Sequence, residues 1–111
     1  MGPFVKGDVV ILPFPFSDLS ATKRRPALII VSLPGDDIIL CQITSKNRPA
    51  NQFAIAITNA DFVSGGLDMD SNVRPERLFT LESRIIEYRA GVLKPDKVQL
   101  VISQVISILN S

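Results

Sequence analysis

A chain of 111 residues, 46% of them hydrophobic and 21% charged, has the size of one ordinary globular domain and can bury a core without disulfide or metal staples. That composition excludes a disordered or fibrous chain, no run approaches the roughly 18 to 20 apolar residues of a membrane span, and residues 1–8, without a basic end, apolar segment or cleavage site, give no expectation of export. The net charge of +1 leaves nucleic acid open as a partner, because the charges are segregated along the chain.

In chain order, Gly7-Asp8 opens a first strand over residues 9–12, and Pro13-Phe14-Pro15-Phe16 is expected to take the chain out of the sheet. Residues 17–22 read as a polar loop. Lys23-Arg24-Arg25-Pro26 then leads into the apolar run of residues 27–32, a second strand whose mouth carries three positive charges. The turn chemistry of Leu33-Pro34-Gly35-Asp36-Asp37 predicts a hairpin to a third strand over residues 38–43. That run contains Cys41, the single cysteine, which reads as a buried thiol and points to the cytoplasm.

A loop over residues 45–51, bearing Lys46 and Arg48, precedes a fourth strand over residues 53–57, where Phe53, Ile55 and Ile57 share a face. Residues 59–72 lack periodicity and read as a surface excursion around Gly65-Gly66. Short strands through Val73 and over residues 78–81, a helical turn over 82–86 and a last strand over 88–93 follow. Lys94-Pro95-Asp96 starts a helix running to about Asn110. Its apolar residues Val98, Val101, Ile102, Val105, Ile106, Ile108 and Leu109 span an arc of roughly 160°. The remaining face is uncharged from Val98 to Asn110, which points to a subunit contact. The whole predicts a single mainly β domain over residues 1–111, a small partly open barrel with a C-terminal helix as its lid.

Four stretches in register carry a family likeness. Gly7-Asp8-Val9-Val10, Arg25-Pro26-Ala27-Leu28-Ile29-Ile30, Ile43-Thr44-Ser45 and Arg74-Pro75-Glu76-Arg77-Leu78-Phe79-Thr80-Leu81 resemble the MazF/PemK toxins of type II toxin-antitoxin systems, closest to the PemK-like branch. The likeness spans residues 7–109. It implies an SH3-like barrel, a homodimer, and a cytoplasmic endoribonuclease that needs no metal or other cofactor, cuts single-stranded RNA at short motifs and arrests translation and growth. It also implies a cognate antitoxin that silences the enzyme and with which it binds DNA. By position, Arg25, Thr44, Arg74 and Glu76 match the family's catalytic residues. Lys23, Arg24, Ser45, Lys46, Arg48 and Arg77 are the flanking positions expected to hold RNA. The glycine-free stretch Ser20-Ala21-Thr22-Lys23-Arg24 departs from the glycine-bearing loop of many members.

Metal-free RNA cleavage needs one proton removed, another delivered, and added charge on the phosphate stabilised. With no histidine in the chain, carboxylates, arginines and hydroxyls are the candidates. A guanidinium forks onto two phosphate oxygens and stays charged, so Arg25 and Arg74 suit charge stabilisation, Glu76 suits the base, and Thr44 suits positioning. Proton transfer by Arg25 itself is the open alternative. Each feature also has a structural reading. The cationic run can be a solvated loop, Arg74 with Glu76 an ion pair, Thr44 a β-former, Asp68-Met69-Asp70 a solvated turn, and Phe14 and Phe16 packing residues. Two other function classes stay open on the same barrel: a non-catalytic binding module, either an RNA binder or a gyrase-directed toxin, and a degenerate structural subunit.

Overall fold

Apolar residues alternating with a period of two place successive side chains on opposite faces of a strand, and here both faces find a core. The computed structural model describes residues 4–14, 23–46 and 51–111. Within them β1 (Asp8–Phe14), β2 (Lys23–Ser32) and β3 (Asp37–Ser45) form an antiparallel meander. With β4 (Ile55–Ile57), β5 (Phe62–Gly65), β6 (Ser71–Glu82) and β7 (Tyr88–Leu93) they make one antiparallel sheet in the order β4-β6-β3-β2-β1-β7-β5. The chain ends in α1 (Pro95–Leu109). The expected mainly β fold with a C-terminal helix is the fold that forms.

The register sorts the core in two. Val9 lies opposite Leu28, and Leu28 opposite Cys41, so all three share one face. There they pack with Ile43, Val73 and Leu93 under Val98, Val101 and Val105 of α1. On the other face Val10, Leu12, Phe14, Ala27, Ile29 and Leu40 form a second cluster, closed by Phe79, whose ring meets Phe14 edge-on at 5.3 Å. Burying these side chains removes most of the sheet's apolar surface from water, the largest favourable contribution to folding.

Several boundaries differ from the sequence reading, and at three of them a proline is involved. β1 continues through Pro13 to Phe14, where Pro13 lies opposite Arg24. β7 pairs with β1 only as far as Ile11, so Pro13 sits where the other side of β1 has no partner among the described residues and a missing N–H costs no ladder bond. For the same reason β2 begins at Lys23. Pro26 precedes the first β2–β3 pair, Ala27 with Gln42, and the cationic run is part of the strand rather than a loop at its mouth. Likewise β3 extends to Ser45.

The two strands expected around Val73 and residues 78–81 are one, β6, interrupted by a bulge: its pairing with β3 jumps from Gln42–Arg74 to Cys41–Leu78, leaving Pro75, Glu76 and Arg77 outside the ladder. The fourth strand is shorter than expected, and Phe53 precedes it. The excursion after it holds a single 3-10 turn at Asn59–Asp61 and the short strand β5. Another 3-10 turn, Ser83–Ile85, stands where a helical turn was expected. On α1 only Val98, Val101 and Val105 are buried; Ile106 and Leu109, placed on the core arc by periodicity, are exposed beside Leu100. Phe16, the loop over residues 17–22 and Arg48 lie outside the described residues.

Among the described residues two charged side chains, Asp8 and Arg74, are sunk in this sheet. Asp8, nearly fully buried, accepts from Val5 N–H at 2.9 Å and meets Arg89 Nε at 3.0 Å, while the Arg89 guanidinium covers the Phe4 ring. Asp8 thus ties the segment before β1 to β7.

Gly65, at the end of β5, has φ +67, and a Cβ there would lie 2.2 Å from Ala90 O and 2.7 Å from Gly91 Cα. Gly65→Ala should therefore lower stability by more than about 1 kcal/mol, through the left-handed backbone and the clash together. Urea unfolding against wild type checks this, and an unchanged midpoint would contradict it.

Candidate functional site

β3 and β6 bring a polar cluster together at the end of the second core. Residues directly opposite across an antiparallel pair share a face, so Gln42 and Thr44 of β3 stand beside Arg74 and Asn72 of β6. Arg74 is 5% exposed and Thr44 7%, and Arg74 Nε donates to Thr44 Oγ1 at 3.0 Å. The bulge then aims Glu76 back at Arg74. Its Oε2 lies 3.6 Å from Arg74 Nη1 and 3.9 Å from Arg77 Nε, and accepts from Asn51 Nδ2 at 2.7 Å. Arg77 Nη1 donates in turn to Gln42 Oε1 at 3.3 Å.

The other carboxylate oxygen, Glu76 Oε1, is buried and has no hydrogen-bond partner among the described residues. Leaving a buried acceptor unpaired costs about 1 to 3 kcal/mol, so the position is maintained against a local penalty.

Arg25 reaches the same neighbourhood from β2. It pairs with Leu12, and Ala27 two residues on pairs with Gln42, so alternation places Arg25 on the face of Gln42 and Thr44. No ion pair or side-chain hydrogen bond engages it among the described residues. Lys23, on the same face, is exposed.

Arg24 and Ser45 go to the opposite face. There they line a cleft of about 310 Å³ together with Arg25, whose apolar floor includes Ile11, Pro26, Ile43 and Leu67. Arg24 is ion-paired with Glu87, and that hydrogen bond, followed by the charge of Glu87, raises its pKa further. Lys46 is exposed next to the cleft, and its N–H donates to Asp70 O at 3.0 Å. The remaining walls, Asp68, Met69 and Ser71, come from the stretch before and into β6.

Of the residues singled out in the sequence, Thr44, Arg74, Glu76 and Arg77 therefore form one contiguous cluster. Arg25 stands at the border of cluster and cleft, while Arg24 and Ser45 face the cleft alone. Gln42, Asn51, Asp68 and Met69 were not anticipated. Gln42 was hidden as one polar residue in an apolar run, and Asn51 becomes relevant only when residues far apart in sequence meet. No group of three His, Cys, Asp or Glu side chains among the described residues is placed to hold a metal ion.

Residues 5–109 match the family described as the PemK-like, MazF-like toxin of type II toxin-antitoxin systems. The chain belongs to that family. This MazF-like chain is similar in fold to an endoribonuclease solved in complex with its cognate antitoxin from Mycobacterial species, with a TM-score of 0.73 and 16% identity over 96% of this chain and 95% of that one. It is likewise similar to MazF from Deinococcus radiodurans, with a TM-score of 0.70 and 21% identity over the full length of both chains. The MazE-MazF complex from the same organism gives a TM-score of 0.71 and 22% identity over 98% of each chain. At such identities the likeness speaks for the fold and not for individual residues. No curated protein sequence matches the chain.

Cys41 lies in the core of the MazF-like sheet, and burial, followed by the charge of Glu76, pushes its thiol up to about 12. The folded protein should resist alkylation by iodoacetamide at pH 8 and react once unfolded. A thiol with a raised folded pKa keeps its proton in the native state while the unfolded chain loses it near pH 9. Stability should thus fall by about 1.4 kcal/mol per pH unit between pH 9 and 12. Cys41→Ala should lose that slope, and an identical pH profile in the variant would refute the assignment.

Proposed function

We propose that this toxin is a metal-independent endoribonuclease that cuts single-stranded RNA by attack of a ribose 2′-hydroxyl on the adjacent phosphate. The observation that carries the reading is the unpartnered, buried Glu76 Oε1, set beside the buried Arg74 guanidinium on the face of the sheet that Arg25 also reaches. In this reading Glu76 Oε1 takes the 2′-hydroxyl proton. The 2′-oxygen then bonds to phosphorus while the bond to the 5′-oxygen breaks. The 5′-oxygen leaves with a proton from solvent, and the products are a 2′,3′-cyclic phosphate and a 5′-hydroxyl.

Arg25 and Arg74 stabilise the charge that builds on the phosphate oxygens. Thr44 holds the Arg74 guanidinium in place and presents its hydroxyl to the phosphate. Lys23, Arg24, Ser45, Lys46 and Arg77 flank this centre and attract the RNA backbone. Arg48 completes that set by sequence alone.

The family assignment and the antitoxin complexes among its structural neighbours support a cognate antitoxin as partner. An acidic, flexible segment laid along the same cationic border would block RNA by charge and by bulk. A homodimer accounts for the uncharged outer face of α1, where Leu100, Ile106 and Leu109 are exposed. No helix of the described residues is long and apolar enough to cross a membrane.

Long single-stranded RNA incubated with the purified chain in excess chelator should yield discrete fragments ending in 2′,3′-cyclic phosphate. Arg25→Ala should slow cleavage by about 10²- to 10³-fold and Glu76→Gln by about 10²- to 10⁴-fold, with folding checked by circular dichroism. Undiminished cleavage by either variant would remove that residue from the mechanism. Intact RNA that nonetheless binds tightly would make the chain a binding module.

A further inference from the structure

We infer that the cleft beside Arg24 and Arg25 is a base-reading subsite that accepts one unstacked guanine, with Asp68 as the residue that selects it. The inference rests on the RNA-directed reading above and adds what that reading leaves open, the base preference. It starts from an anomaly of charge. Asp68 lines the same cleft as Arg24 and Arg25, yet no ion pair engages it among the described residues, the partner of Arg24 being Glu87. A carboxylate on the wall of a cationic cleft repels the phosphates that the arginines attract. It is useful there only toward a group that offers hydrogen-bond donors.

The wall that carries Asp68 is held at both ends. On one side Gly66 N–H donates to Ala90 O at 3.2 Å and Leu67 N–H to Asn59 Oδ1 at 3.0 Å. A Cβ on Gly66 would lie 2.4 Å from that same Asn59 oxygen, so a side chain there would push the Asn59 amide off its bond to Leu67. On the other side Asp70 O accepts from Lys46 N–H at 3.0 Å, and Ser71 Oγ donates to Met69 O at 2.9 Å. Asp68 is thereby presented on a segment fixed to β3, β6 and β7. Asp70, two residues on, is not among the residues lining the cleft.

The cleft suits the flat face of one base. Its volume of about 310 Å³ is at the small end of ligand sites, its floor is apolar, and Met69, 52% exposed, stands at the rim where a polarisable thioether can lie against a ring. It also lies in the right place. Arg24 and Ser45 are the chain neighbours of Arg25 and Thr44 and point to the opposite face of the same strands. A nucleotide whose phosphate meets Arg25 can thus lay its base over the sheet border into the cleft.

Among the four RNA bases, guanine alone puts two donors side by side on its Watson–Crick edge, the N1–H and the N2 amino group, matching the two oxygens of one carboxylate. Adenine and cytosine set a single amino group beside an acceptor nitrogen, and uracil flanks its N3–H with two carbonyls that a carboxylate repels.

The test uses single-stranded oligonucleotides of uridine with one central guanosine, or inosine in its place, which lacks only the N2 amino group. Binding is followed by fluorescence anisotropy to the wild-type chain and to Asp68→Asn. Wild type should bind the guanosine oligonucleotide about tenfold or more tightly than the inosine one, and Asp68→Asn should bind both alike. Cleavage sites mapped on long RNA should share one guanosine position for wild type and lose that constraint in the variant. Equal binding of both oligonucleotides by wild type, binding of neither, or an unchanged guanosine preference in Asp68→Asn would overturn the inference. The two readings separate cleanly: guanosine-selective binding without cleavage keeps the subsite and refutes the ribonuclease, whereas cleavage without guanosine dependence does the reverse.

Discussion

Burying the guanidinium of Arg74 is the constraint on which the rest of this site depends. A cation taken out of water is costly unless hydrogen bonds and an opposite charge meet it inside the protein. Here Thr44 supplies the hydrogen bond from the neighbouring strand, and Glu76 supplies the charge from two residues further along the same one. The regular register of β3 and β6 sets Thr44 beside Arg74, while the interruption of the ladder after Arg74 leaves Glu76 outside the pairing. Two residues apart on a regular strand, Arg74 and Glu76 would share a face, but Pro75 and the bulge turn the carboxylate back toward the guanidinium and out of the pairing.

The same device recurs around the site. Pro13, Pro26 and Pro75 each sit where a ladder stops or is broken, and each lies beside a charged residue of the cluster or the cleft. A proline removes a backbone donor where a neighbouring strand has already ended, so the chain stays extended without needing a partner. The result is a sheet whose middle is packed on both faces and whose border offers side chains instead of backbone. Arg25 and Thr44 go to one side of that border, Arg24 and Ser45 to the other. Two successive residues of a strand thereby serve two different walls.

The two cores have different tasks. The one under α1 is built from branched aliphatic side chains and holds the helix, while the one closed by Phe14 and Phe79 ends directly in the polar cluster. Rigid packing behind a site limits how far its side chains can stray, which is what a charged cluster needs to hold its geometry. On the cleft side the same restraint comes from backbone hydrogen bonds and close glycine contacts instead of side-chain packing. The likeness in fold at 16 to 22% identity fits this division, since a sheet and helix of this kind can be kept by many different apolar sequences.

Much was legible in the sequence because it depends on neighbours along the chain. The β2–β3 hairpin follows from Pro34-Gly35 between two apolar runs, the start of α1 from Pro95-Asp96, and the meeting of Arg74 and Glu76 from their spacing. Strand ends were not legible: whether a proline leaves a sheet or stays in it depends on whether another strand still runs alongside, as at Pro13 and Pro26. Exposure on α1 was likewise decided from outside, since periodicity defines a face but only the width of the sheet beneath it determines that Val105 is covered and Leu109 is not. The pairing of Asn51 with Glu76 and the placing of Asp68 in a cleft with Arg24 join residues 25 and 44 positions apart. By itself the sequence determined which residues carry charge, which segments are extended and where the helix begins. Only the tertiary structure decided which charges meet, because that follows from strand register and from where each ladder stops, and both belong to pairs of segments rather than to any one of them.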